Sequence, residues 1–354
     1  MFPGGNTSKG FFSFYSYIIR QEDAKRLFIL KGGPGTGKST FMKKTAAELL
    51  DRGYDVEYMH CSSDNSSLDG IVIPAIGVAM IDGTAPHVVD PKNPGVVDEI
   101  INLGDYWSEA GMLKHRQKVL GVNKEIGSLF ARAYRYLKAA RQIYDDSAFL
   151  YGRAMDEAQI NILAKSYIDE LLSGAPLSNT TGYDRRLFAS AITPDGLKNY
   201  LDDLLTISNV YVLEGFPGAG TDKLLEKLKS AALERGFSTE AYYCALDPEK
   251  LEHLVIPALD AGFTTQNKYH STDVCAVRNE DFHRMLNEAI LETSKTELEF
   301  NEEEFNKLLD KAEKIIHGAK AFHDELESCY IPYMDFAAVQ KLWEKTMERI
   351  LTYI

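Results

Sequence analysis

The chain has 354 residues, 39 Lys and Arg against 52 Asp and Glu, a net charge of −13 and an apolar share of 45%. That length allows two ordinary cores, the apolar share excludes a disordered chain, and the acidic balance makes a poor nucleic-acid surface. With no charged-then-apolar leader and no apolar run of membrane-spanning length, a cytoplasmic protein with no membrane partner is expected.

A short strand over 11–17 precedes a second, 26–30, which reads Arg-Leu-Phe-Ile-Leu. There follow Gly32, Gly33, Pro34, Gly35, Thr36, Gly37, Lys38, Ser39 and Thr40, and then a helix over 41–50. Strand, glycine-rich loop and helix in this order make a phosphate cradle. The glycines let successive backbone N–H groups point at phosphate oxygens, and the helix N-terminus adds partial positive charge. Lys38 reaches the β and γ phosphates and the Ser39 hydroxyl holds magnesium, so residues 32–40 are assigned to a nucleoside triphosphate. The strand over 55–61 leads to Asp64, a candidate for orienting a water or an acceptor hydroxyl. The strand over 78–81 runs into Asp82, placed as the second magnesium ligand and a catalytic partner of Lys38.

At an offset of 183 the pattern recurs. Glu57, Cys61, Asp64, Leu68, Ile73, Pro74, Ala75, His87 and Asp90 are answered by Glu240, Cys244, Asp247, Leu251, Ile256, Pro257, Ala258, His270 and Asp273. This is an internal duplication. The second loop, Gly215-Phe216-Pro217-Gly218-Ala219-Gly220-Thr221-Asp222, has Thr221 at the Lys38 position and Asp222 at the Ser39 position, while Thr265 answers Asp82. The three positions assigned to phosphate and magnesium change together, which supports a joint role and makes the second site degenerate. Asp64, His87 and Asp90 recur where the chemistry has gone, which favours structural roles for them. The four cysteines show no C-x-x-C pair, and Cys61 and Cys244 are equivalent, so buried reduced thiols are expected.

Each α/β portion ends in a long helical stretch, 96–176 and 279–354, and these correspond at an offset of 179. Residues 173–184 read as a linker. The predicted domains are 1–183, active (α/β 10–95, helical 96–176), and 184–354, degenerate (α/β 184–275, helical 279–354). They carry net charges of −1 and −12. The fold class is α/β: tandem duplicated three-layer domains of the P-loop NTPase kind, each with an appended helical hairpin. Along the first helical stretch Arg132, Arg135, Lys138 and Arg141 are spaced by three and recur as Lys311, Lys314, His317 and Lys320. They read either as a solvated helix face or as a basic lid over the phosphates, with Arg135 and Arg141 as the catalytic candidates.

The loop and the Asp82 strand place residues 26–90 in the P-loop NTPase superfamily by resemblance. The whole chain, with His60-Cys61-Ser62-Ser63-Asp64 and Asp82-Gly83-Thr84-Ala85-Pro86-His87, resembles a family of bacterial ATP-binding proteins with tandem P-loop halves. The resemblance implies ATP and Mg2+ as cofactors and ATPase activity. No Asn-Lys-x-Asp segment favours guanine, and Gly83 follows Asp82 where many ATP-driven motors carry a glutamate. The expected function is a slow ATPase or nucleotide-dependent switch, acting through the degenerate half or a protein partner. The alternative is a kinase for a small-molecule acceptor, with the helical region as its lid.

Overall fold

Two mixed sheets carry the chain, each built around a strand that runs into a glycine-rich loop. The computed structural model describes residues 1–354 and opens on a hairpin of β1 (Gly4–Thr7) and β2 (Gly10–Ser13). β3 (Arg26–Lys31) leads through the first loop into α1 (Lys38–Asp51), and β4 (Glu57–His60), β5 (Leu68–Ile73), β6 (Val78–Asp82) and β7 (Asp98–Asn102) follow. The sheet order is β4-β5-β6-β3-β7, with β6 and β7 parallel to β3 and β5 antiparallel to its neighbours.

Three helices then leave this sheet: α2 (Glu109–Leu113), α3 (Arg116–Ala154) and α4 (Glu157–Leu172). The second half runs β8 (Asp184–Leu187), a hairpin of β9 (Ser190–Thr193) and β10 (Gly196–Asn199), α5 (Leu201–Leu204), β11 (Asn209–Glu214) and α6 (Thr221–Glu234). It continues through β12 (Thr239–Tyr243), β13 (Leu251–Ile256), β14 (Ala261–Gln266) and β15 (Arg278–Asp281) to α7 (Glu288–Glu292), α8 (Lys295–Tyr330) and α9 (Phe336–Ile350). Its sheet, ordered β15-β11-β14-β13-β12-β8, repeats the first order with β8 added at the β12 edge.

The long helices cross between the halves. At about 1.5 Å per residue, α3 and α8 each span more than 50 Å, and they pack on one another through Ala133, Leu137 and Ala140 against Ala312, Ile315 and Ile316. Alanines at helical spacing let the two backbones approach closely. Backbone bonds fix the antiparallel arrangement at both ends: Ser108 N donates to Tyr333 O (2.9 Å), and Asn287 N donates to Ala154 O (2.8 Å).

As a result, α9 closes the core of the first half. Val339, Met347 and Ile350 are buried with Phe28, Leu30, Phe41 and Met42, and Trp343 Nε1 donates to Thr45 Oγ1 at 3.0 Å. Conversely α4 lies on the second half, where Tyr167 packs edge-on to Tyr211 and Phe263 and its hydroxyl donates to Glu280 at 2.7 Å. Each such buried side chain contributes about 1.5–3 kcal/mol. No helix is long and apolar enough to cross a membrane.

Four expectations change. The terminal helix of each half packs on the other half, so neither carries its own helical hairpin. The segments 98–102 and 278–281, expected to be helical, are edge strands, because pairing with β3 and β11 outweighs their local pattern. The strand expected over 11–17 is β2 followed by a 3-10 turn at Tyr15–Tyr17. In the first half, helices cover only one sheet face; Leu27, Ile29, Ala79 and Ile81 on the other join Phe14, Tyr15 and Ile18, so the three-layer arrangement is absent there.

Arg185, on the edge strand β8, ties the halves together. Its guanidinium lies 3.0 Å from Glu57 and 3.1 Å from Glu240, the repeat-related pair, and donates to the Ile18 carbonyl at 3.0 Å. Arg185→Ala leaves two glutamates without their shared cation and is expected to cost about 3–5 kcal/mol. Denaturant unfolding measures this.

Candidate functional site

The loop between β3 and α1 sits at the carboxyl ends of the parallel strands. Gly35 (φ 70°) and Gly37 (φ 94°) adopt left-handed backbone that other residues rarely tolerate, and this turns the chain into the N-terminus of α1. Thr36 is buried and its hydroxyl donates to Gly33 O at 2.8 Å, bracing the turn. Pro34 and Gly32 are half-buried in the loop, and Thr40 is exposed on the first turn of α1.

Lys38, the first residue of α1, turns its ammonium back across the loop. Nζ donates to Gly32 O (2.8 Å) and Gly33 O (2.9 Å) and lies 3.6 Å from Asp82 Oδ2. Asp82 ends β6, directly opposite Leu30 on β3, so sheet pairing brings the acid to the loop. Its Oδ1 accepts from Thr84 N at 2.8 Å, and the Thr84 hydroxyl donates to Gly32 O at 3.0 Å, tying the segment after Asp82 onto the loop. The Ser39 hydroxyl accepts from Leu68 N at 3.0 Å, on the same edge. Lys38, Ser39 and Asp82 are therefore gathered as expected.

Asp64 is near, but tied down. Oδ1 accepts from Ser66 N (3.1 Å) and Ser66 Oγ (2.8 Å), and Oδ2 from Ser67 Oγ (2.9 Å). Burial opposes its charge, but these hydroxyl bonds and the ammonium of Lys320 hold its carboxyl below the usual range. A carboxylate so occupied is a weak base and a good turn organiser.

The basic residues of α3, read as a solvated helix face or as a lid over the phosphates, do not lie over the first loop. Because α3 runs onto the second half, Arg141 pairs with Asp145 and with Asp247, the counterpart of Asp64 in the second half. Arg135 is exposed on the same helix. The residue that reaches the first site is Lys320 on the returning α8, 3.6 Å from Asp64 Oδ2. The repeat correspondence of Arg141 with Lys320 carried this signal; the missing step was that the helices cross.

The same crossing roofs the first loop with residues that sequence reasoning did not single out. A methyl group added at Gly33 would lie 2.6 Å from the Tyr330 ring, and one at Gly35 would lie 2.9 Å from Ile331 and 3.2 Å from Glu327 O. Tyr330 in turn meets Trp107, ring centroids 5.8 Å apart. At the second loop, Gly218 (φ 78°) and Gly220 (φ 83°) reproduce the turn, but Thr221 is buried and Phe216 fills the Gly33 position. Its ring lies between Tyr151 (4.6 Å) and His283 (4.7 Å), an aromatic plug where the first loop is bare backbone.

Three cysteines, Cys61, Cys244 and Cys329, are buried and Cys275 is exposed; none forms a disulfide. No family model, curated protein or solved structure matches the chain.

Gly33→Ala, at a position that needs no left-handed backbone, is expected to lift the roof through the Tyr330 contact. In a Trp343→Phe background, which leaves Trp107 as the single tryptophan, its emission should shift to the red as the Tyr330 contact opens.

Proposed function

We propose that residues 32–40 bind the phosphates of ATP with Mg2+. In this reading each half is a P-loop NTPase-like domain derived by duplication, the first active and the second degenerate. The observation that carries it is the convergence of the Lys38 ammonium, the Ser39 hydroxyl and the Asp82 carboxylate on one strand edge at a helix N-terminus, with Lys38 3.6 Å from Asp82. A lysine among backbone N–H donors suits phosphate oxygens, and a hydroxyl beside a carboxylate is an oxygen donor set suited to magnesium. When bound, magnesium would neutralise charge between the β and γ phosphates; Lys38 would hold the terminal phosphate and the α1 N-terminus would add favourable dipole charge.

Hydrolysis in this reading is slow, because Gly83 follows Asp82 and both oxygens of Asp64 are committed to Ser66 and Ser67. The packed roof favours a nucleotide-dependent switch over a small-molecule kinase. Tyr330 and Ile331 rest on the glycines themselves, leaving the nucleotide to work against a contact supplied by the other half of the chain. The second loop, with an aromatic plug and Asp222 in place of a metal-binding hydroxyl, repels a magnesium-free triphosphate and offers no lysine.

Calorimetry with ATP and Mg2+ should give one equivalent per chain. Lys38→Ala should weaken binding by more than tenfold, from loss of charge-assisted bonds of about 1.5–3 kcal/mol each; two tight equivalents contradict the reading. A second test compares two repeat-related residues: Lys320→Ala should alter ATP turnover severalfold, while Arg141→Ala, which faces the other half, should leave it unchanged.

A further inference from the structure

Cys61, Asp69 and His87 bring a thiol, a carboxylate and an imidazole within 4.8 Å of one another, all three buried. None has a task in the nucleotide reading. Asp69 is 4% exposed, its Oδ2 has no hydrogen-bond partner, and it faces His87 Nε2 at 3.7 Å, too far for a hydrogen bond. Nδ1 of His87, a residue 8% exposed, is also unpartnered; the Tyr15 ring stacks on the imidazole at 4.9 Å and its hydroxyl faces Asp69. Each buried unpaired polar group costs about 1–3 kcal/mol, so two at one point indicate a missing partner.

The second half provides an internal comparison. Cys244, Glu252 and His270 form the same buried triad. There the longer glutamate approaches His270 Nε2 to 2.8 Å, with its Oε2 likewise lacking a well-directed hydrogen bond, and Lys250 places its ammonium 3.4 Å from Glu252 Oε1. That triad has a cation built into it. In the first half the position of Lys250 is Ser67, the shorter Asp69 leaves the pair open, and no lysine enters.

We propose that Cys61, Asp69 and His87 bind a divalent transition-metal ion of the zinc class, with donors different from those of the magnesium proposed at Ser39 and at Asp82 on the neighbouring strand β6. Sulfur and nitrogen donors suit zinc and exclude magnesium, which takes oxygen ligands. A tetrahedral ion with bonds of about 2.0–2.2 Å sets nitrogen and oxygen donors about 3.3 Å apart, close to the observed 3.7 Å. Three protein ligands leave a fourth position open to water or substrate. Burial pushes the Cys61 thiol well up, so it is a neutral thiol and not a nucleophile. On metal binding its S–H bond breaks, the proton passes to solvent and a metal–sulfur bond forms, so affinity rises with pH.

The test uses the full chain, stripped with chelator and titrated with Co2+ and then Zn2+ without nucleotide. One equivalent of Co2+ should give tetrahedral d–d bands and a thiolate charge-transfer band, both displaced by Zn2+. Cys61→Ser should abolish the charge-transfer band, and Asp69→Asn and His87→Gln should weaken Zn2+ binding by more than about tenfold; Cys244→Ser should change neither readout. A chain carrying Ser at positions 244, 275 and 329 leaves Cys61 as the sole thiol and should keep the band, which holds the test open should Cys61→Ser fail to fold. No charge-transfer band in the wild type, a band that survives Cys61→Ser, or one lost on His323→Ala at the partly exposed His323, Asp324 and Glu327 group would overturn the proposal.

Discussion

The antiparallel crossing of α3 and α8 is the contact on which the rest of the structure depends. It carries α9 from the end of the chain to the core of the first half, and α4 from the middle of the chain to the core of the second. Separating the halves would uncover Val339, Met347 and Ile350 on one side and Ile160, Ala164 and Tyr167 on the other, about 1.5–3 kcal/mol for each of the larger side chains. The two halves therefore exchange helices, and Arg185 on β8, shared between Glu57 and Glu240, reinforces the exchange.

Crossing also decides what faces each loop. The end of α8 delivers Tyr330 and Ile331 to the first loop and Lys320 to Asp64, while α3 delivers Ala148 and Tyr151 to the second loop and Arg141 to Asp247. The two contacts are alike in backbone and opposite in chemistry. Tyr330 rests on Gly33, a residue with no side chain to hold it, whereas Tyr151 meets the Phe216 ring in a tilted aromatic contact. A roof over bare glycine has less to lose on opening than one locked into an aromatic plug. That asymmetry makes the first loop the mobile partner in the proposed switch, with α8 the element that carries the change to the other half.

Much of this was legible in the sequence because it is local. The glycines at 35 and 37, the strand before them and the helix after them follow from short-range backbone chemistry, and the Asp82 strand from an apolar run ending in an acid. The repeat itself exposed which residues changed with Lys38. What was not legible is non-local. The edge strands at 98–102 and 278–281 exist because β3 and β11 have a free side to pair with. An amphipathic helix shows that it has a buried face, but not which core that face enters, so α4 and α9 read as parts of their own halves and Arg135 and Arg141 as either a solvated face or a lid over the first loop. Cys61 and Cys244 could be matched by repeat spacing, yet the difference between an open and a closed triad lies in one methylene of Asp69 against Glu252 and in Lys250 against Ser67.

The central claim is that the end of α8 is the roof of a nucleotide site formed by the other half. Amide hydrogen exchange over 327–336, with and without ATP and Mg2+, tests it most directly. The account predicts a nucleotide-dependent change there and in the loop at 32–37, absent in Lys38→Ala, with exchange at 148–151 over the second loop unaltered. Bound nucleotide that leaves 327–336 unchanged, or alters 148–151 in its place, would contradict it.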